Sequence, residues 1–248
     1  MALFCCQHFS DTLQKCMRFY TVIPENVPED IPVVYVLHGL SDDASVWLRR
    51  TNIEYLADLF GMALVLPDGE KSFYTNMACG ENFYDYVSRE IPAYVNKTFA
   101  PLSKKREKTF ICGISMGGYG ALKIAFRNPD RFGAVCGMSS VSDIAERVRR
   151  ATFEDVIRLV FGDRTPEKIA GSEEDLFALA GNLEKQKSDL RILQMCGTED
   201  FLYEDNIRFR DYMKKTGLDY TYFEEPGNHD WGTWNRWLPE VFRFFQKT

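Results

Sequence analysis

The chain has 248 residues, with 30 Lys+Arg against 36 Asp+Glu and a formal net charge of -6. At 45% hydrophobic and 27% charged residues, the composition is that of a globular protein with a substantial core and not of a disordered chain. The mild acidity, without a long basic run, argues against a nucleic-acid partner.

In chain order, Met1 to Gln7 has no basic n-region and its apolar stretch ends at once, so it does not read as a signal peptide. The longest strongly apolar runs, such as Val33 to Leu37, are too short to span a bilayer. A cytoplasmic protein with no membrane partner is expected. Ala2 to Ile23 reads as two strands at a sheet edge, and Pro24 to Pro28 as a turn. Pro32 to Leu37 is a β-branched run closed by His38-Gly39, the pattern of a strand buried on both faces and hence of a parallel sheet.

The pattern then alternates. Helices are expected over Thr51 to Phe60, Glu81 to Phe99 and Met116 to Phe126. Strands are expected over Met62 to Leu66, Thr109 to Cys112, Gly133 to Met138 and Arg191 to Cys196. A helix around Asn206 to Lys215, a strand from Tyr220 to Phe223 and a helix from Thr233 to Phe245 close the chain. This rhythm predicts one α/β domain over residues 1–248, a mostly parallel sheet flanked by helices. Between Val141 and Asp189 only helical patterns occur, with a helix start at Ser172-Glu173-Glu174-Asp175. Residues 141–189 are therefore a helical insertion, either a lid over the sheet edge or a structural crossover.

Seven cysteines, an odd number without a C-x-x-C pair, read as free buried thiols of a reducing compartment. No Cys/His cluster suits zinc, and no metal or cofactor is expected.

The chemistry concentrates at Gly113-Ile114-Ser115-Met116-Gly117, a G-x-S-x-G motif between a β-rich run and an apolar helix pattern. A serine on a tight strand-to-helix turn holds a strained backbone and projects its hydroxyl. Side chains at the flanking glycines would collide across the turn. The following helix N-terminus points free N–H groups at a developing oxyanion. Such a serine needs a base, and in α/β-hydrolases the order is Ser, acid, His. Of the three histidines, only His229 follows Ser115. It sits in a turn-rich loop before the last helix.

The acid belongs on the loop after the preceding strand, where Asp200 is the candidate and Glu199 its rival. Asp230, adjacent to His229, is a poor orienter. The oxyanion donors would be the amides of Leu40 and Met116. His38 then serves loop structure or is a satisfied core histidine, and His8 is an ordinary strand residue.

His38-Gly39-Leu40, Trp47, Arg50 to Glu54, Phe73-Tyr74-Thr75-Asn76, Gly113 to Gly120, Gly197 to Asp200 and Asn228-His229-Asp230-Trp231 together resemble the esterase D-like group of α/β-hydrolases. Within it the chain is most similar to bacterial tributyrin esterases, with feruloyl and acetylxylan esterases as relatives. The resemblance implies a carboxylesterase for small esters of short acyl chains, with Ser115, Asp200 and His229 as its triad. A carbohydrate-ester hydrolase is the alternative, and a non-catalytic binding module on the same scaffold is the reading from a different class. Trp47, Phe73 and Tyr74 are the expected aromatic pocket walls. By analogy with the group a homo-oligomer is expected. S-formylglutathione hydrolases also belong to the group, but a histidine is expected before their nucleophile, where this chain has Ile114.

Overall fold

The computed structural model describes residues 1–25 and 29–247. The turn expected over residues 24–28 falls partly on residues 26–28, outside the described residues. Eight strands form one sheet in the order β1-β2-β4-β3-β5-β6-β7-β8. β1 (Ala2–Ser10) and β2 (Lys15–Ile23) make an antiparallel hairpin at one edge, and β2 runs antiparallel to β4 (Ala63–Pro67). The remaining neighbours are parallel: β3 (Val33–Leu37), β5 (Thr109–Ile114), β6 (Ala134–Met138), β7 (Arg191–Gly197) and β8 (Tyr220–Glu225).

The all-apolar strands are explained by a core on each face. On β3, Val33, Tyr35 and Leu37 enter one cluster, while Val34 and Val36 enter the other. This is the period-2 alternation of a strand covered on both sides. α1 (Val46–Arg50) and α2 (Ile53–Phe60) lie on the Val34 side, as does α11 (Trp231–Gln246). α3 (Phe83–Asp85), α4 (Ile91–Thr98) and α5 (Met116–Arg127) pack on the Tyr35 side. α1 is too short to show a 3.6-residue period, which is why the sequence pattern misses it.

The helix expected over Glu81 to Phe99 is interrupted. Between α3 and α4 lies a π-helical turn, Tyr86–Glu90. Pro92 lacks the N–H that would bond the Ser88 carbonyl, and its ring would collide with that carbonyl in a regular α-helix. The wider turn leaves the Ser88 carbonyl to accept from the Arg131 guanidinium.

Residues 141–189 carry α6 (Ile144–Arg149), α7 (Glu154–Phe161), α8 (Pro166–Ile169) and α9 (Leu176–Lys185). Asp175 caps α9 by accepting from the Phe177 N–H. α7 is tied to the loop after β4, because the Ala78 and Cys79 amides donate to the Val160 and Leu159 carbonyls, each at 2.9 Å. α10 (Tyr203–Met213) begins three residues before the expected Asn206.

The cysteine expectation needs correcting. All seven are free, but only Cys112, Cys136 and Cys196 are buried. Cys5 and Cys16 lie on the edge hairpin, where alternate side chains face solvent. Among the described residues, no helix is long and apolar enough to cross a membrane.

Parallel register brings the functional loops together. Leu37 lies opposite Gly113, so the segment after β3 emerges beside the end of β5. Gly197 lies opposite Glu225, so the loops carrying Asp200 and His229 leave the sheet side by side.

Candidate active site

Ser115 follows the last residue of β5 and caps α5 with φ 54° and ψ -118°. Backbone of this kind costs about 1–3 kcal/mol at a non-glycine residue and persists only when its surroundings impose it. Here the Ser115 N–H donates to the Met138 carbonyl at 2.9 Å, and the Ser115 carbonyl accepts from the Tyr119 N–H at 3.0 Å. The flanking glycines are steric necessities. A Cβ on Gly113 would lie 2.3 Å from the Gly117 carbonyl oxygen. One on Gly117 would lie 2.4 Å from the Leu37 oxygen and 2.5 Å from the His38 oxygen. β5, α5 and the end of β3 thus meet backbone to backbone.

His229 arrives from the loop between β8 and α11. Its Nε2 is 3.0 Å from Ser115 Oγ, and its Nδ1 is 2.8 and 3.0 Å from the two Asp200 oxygens. A carboxylate only accepts, so the Nδ1–H donates to Asp200 and the Nε2 lone pair faces the serine hydroxyl. Asp200 is buried, and its Oδ1 also accepts from the Leu202 N–H at 2.8 Å. The imidazole packs against Phe201, at 4.4 Å between centroids, and edge-on against Trp234 at 4.9 Å. Trp234 is itself fixed by its indole N–H donating to Ser139 Oγ at 2.9 Å.

The rival carboxylates are engaged elsewhere. Glu199 accepts from the Gly227 N–H and the Thr198 hydroxyl. Asp230 caps α11, accepting from the Thr233 N–H at 2.9 Å. Both brace the loop that carries His229 without touching its ring nitrogens.

Leu40 and Met116 line the same cavity as Ser115 and His229. Met116 opens α5, where the positive end of the helix dipole lies. The Leu40 segment is held from beneath by His38, which is buried. Its Nδ1–H donates to the Gly39 carbonyl at 2.8 Å, and its Nε2 accepts from the Gly69 N–H at 2.9 Å. His38 therefore serves loop structure. His8 stays in β1, with Nε2 3.1 Å from the Tyr86 hydroxyl.

The cavity measures about 250 Å³, and most of its wall is apolar: Leu40, Phe73, Met116, Val141, Phe153, Ile157, Phe201 and Leu202. Of the three aromatics expected to wall it, only Phe73 does so. Trp47 is wholly buried under β3, its indole N–H donating to the Leu37 carbonyl at 3.2 Å. Tyr74 is buried with its hydroxyl donating to the His38 carbonyl at 3.0 Å. Each supports the Leu40 segment from outside the cavity.

The lid reading of residues 141–189 names no residue of the insertion as part of the wall. Arg147, Thr152, Phe153 and Ile157 all line the cavity. Arg147 is buried, with a guanidinium nitrogen 2.5 Å from the Asp205 carboxylate. Only the i, i+4 spacing of Phe153 and Ile157 hints at a shared face. A second buried pair lies behind the site. Lys123 Nζ is 2.7 Å from Glu174 Oε2. Burial raises the pKa of Glu174, but the Lys123 ammonium more than offsets this and holds the carboxyl below its ordinary value.

A mostly parallel sheet with a strained serine at a central strand-to-helix turn, met by an imidazole from the last strand-to-helix loop, defines an α/β-hydrolase fold. The sequence profile of the family described as "Putative esterase" matches residues 10–245, and the chain belongs to that family. An acetyl esterase of Caldicellulosiruptor saccharolyticus is 32% identical over 266 residues, covering 100% of this chain and 99% of the relative. Among solved structures, a substrate-bound fluorophosphonate-binding serine hydrolase of Staphylococcus aureus superposes with a TM-score of 0.91. It is 30% identical, with 98% of each chain covered. An S-formylglutathione hydrolase of the same species superposes at 0.88, also at 30% identity and 98% coverage of each chain. The protein is an ester hydrolase.

Proposed function

We propose that this ester hydrolase is a serine carboxylesterase for short acyl chains, with Ser115 as nucleophile, His229 as general base and acid, and Asp200 as its orienting carboxylate. One observation carries the reading: the continuous chain from Ser115 Oγ through the His229 ring to buried Asp200, opening on a small apolar cavity.

His229 Nε2 takes the proton of Ser115 Oγ as the hydroxyl attacks the ester carbonyl. The amides of Leu40 and Met116 receive the tetrahedral oxyanion. His229 then protonates the leaving alcohol, and water activated by the same nitrogen releases the acid from the acyl-enzyme. Asp200 holds the Nδ1–H tautomer and stabilises the imidazolium. The cavity volume of about 250 Å³ lies just below the usual ~300–1,000 Å³ of ligand pockets, which favours short acyl groups. The acetyl esterase relative supports the same class.

The test is a p-nitrophenyl ester series from acetate to decanoate, run beside methyl ferulate, acetylated xylo-oligosaccharide and S-formylglutathione. Turnover is expected to peak at the short end. Ser115→Ala should lower kcat on the order of 10⁶-fold, as in other serine hydrolases, and abolish the mass adduct left by a fluorophosphonate. No turnover on any member, or undiminished turnover by Ser115→Ala, defeats the reading. A higher kcat/KM on a ferulate, sugar ester or glutathione thioester would move the specificity to that group.

A further inference from the structure

Lys123 is the one charged side chain between Met116 and Phe126 of the nucleophile helix, and it is wholly buried. The mechanism does not use it. Its ammonium donates to Glu174 Oε2 at 2.7 Å, to Thr75 Oγ1 at 2.5 Å and to the Phe73 carbonyl at 3.2 Å, and it sits 4.6 Å from the Tyr119 ring centroid. Tyr119 in turn donates its hydroxyl to the Glu174 carbonyl at 2.8 Å. Three segments meet at this one nitrogen: the helix that starts at the nucleophile, the loop after β4, and the part of the insertion that leads into α9.

The loop needs such an anchor. Phe73 and Tyr74 both have φ 51°, the left-handed region that bulky side chains avoid. The two residues send their side chains to different tasks. Phe73 forms a wall of the cavity, and Tyr74 holds the His38 carbonyl beneath the Leu40 segment. On one side the loop is tied by the Ser72 hydroxyl, which donates to the Gly69 carbonyl at 2.6 Å and accepts from the Tyr74 N–H at 2.9 Å. On the other side its ties include Lys123, on the carbonyl of Phe73 itself.

A buried ion pair is a weak device for stability, because apolar residues of similar size usually do as well. It is a strong device for geometry, because an ammonium must satisfy its donors in one arrangement. We propose that Lys123, neutralised by Glu174, is a positioning residue that holds the Phe73 wall in its left-handed conformation and so sets the acyl-size selectivity of the Ser115 cavity. This rests on the serine-esterase reading of that cavity.

The test uses the p-nitrophenyl ester series with three proteins: wild type, Lys123→Met/Glu174→Met, and Thr75→Val. The double variant removes the pair without stranding a charge, and Thr75→Val removes one of the three acceptors together with the Thr75 hydroxyl's own bond to the Phe73 carbonyl at 3.1 Å. With the wall released, KM for the acetate is expected to rise about tenfold while kcat changes less than about threefold. The preferred chain should lengthen by about one carbon, since one methylene in an apolar pocket is worth about tenfold or more. Thr75→Val should shift the same way by less, and it carries the test alone if the double variant does not fold. A variant that melts earlier but keeps the wild-type KM and chain-length order overturns the proposal, since a merely structural pair would behave so. A wild type inactive on every ester defeats instead the reading on which it rests.

Discussion

Gly117→Ala probes the contact between the nucleophile helix and the end of β3. The added methyl would lie 2.4 Å from the Leu37 oxygen and 2.5 Å from the His38 oxygen. Carbon–oxygen contacts in proteins settle at about 3.3–3.6 Å, so the two backbones must part by roughly 1 Å. Neither side can yield by a rotamer change, because both obstacles are main-chain carbonyls. The His38 carbonyl already accepts from Tyr74, and Leu37 is in register with Gly113. The shift therefore falls between the two amides proposed as oxyanion donors, Leu40 after β3 and Met116 on α5. Misplacement of catalytic groups by ~1 Å costs on the order of 10²-fold, and core overpacking costs about 1–3 kcal/mol. The expected outcome is a fall of about two orders of magnitude in kcat/KM for p-nitrophenyl acetate, with a lower melting temperature. At a temperature where circular dichroism shows the fold intact, fluorophosphonate labelling should slow in parallel. A folded Gly117→Ala protein with wild-type kcat/KM would refute the placement of the Leu40 segment in the reaction.

Four further outcomes follow from particular contacts. Asp200→Asn should lower kcat about 10⁴-fold by releasing the wrong imidazole tautomer, as in the serine proteases. Glu199→Gln, which perturbs only the Gly227 and Thr198 contacts, should stay within about tenfold of wild type in the same steady-state assay. Asp230→Ala removes the side-chain cap of α11 and should cost about 1 kcal/mol in urea unfolding. The Glu174 carboxyl titrates below its ordinary value in the folded state. Its stabilising contribution is therefore complete above the unfolded pKa near 4.5 and is lost as pH falls through the lower folded value. Urea midpoints measured from pH 6 down to pH 3 should drop in that acid window for wild type. They should drop less for Lys123→Met/Glu174→Met. Parallel curves would refute the coupling.

The legible part of this protein is the part written in local chemistry. A strand buried on both faces must be apolar at every position, so Val33 to Leu37 declares a parallel sheet without any partner being known. The strained turn at Ser115 admits only glycine at 113 and 117, so the candidate serine stands out. The order serine, acid, histidine leaves His229 alone among the imidazoles. Asp200 and Glu199 look alike in the chain. Parallel register of β7 with β8 puts one beside His229 Nδ1 and the other on the Gly227 amide. Trp47, Phe73 and Tyr74 look alike as well, yet only one reaches the cavity, because left-handed backbone at residues 73 and 74 turns two adjacent rings to different tasks. The expected helix from Glu81 to Phe99 takes no account of Pro92, and the π turn needs Arg131 to take the freed carbonyl. Lys123 carries one signal, a cation in an otherwise apolar helix, and it names no partner; Arg147, among Glu146, Arg149 and Arg150, carries none. Their carboxylates lie 51 and 58 residues away, positions 174 and 205 respectively. Burying a charge demands a counter-charge, which sequence can foretell. Which carboxylate answers, and whether it braces a cavity wall, depends on packing between segments remote in the chain.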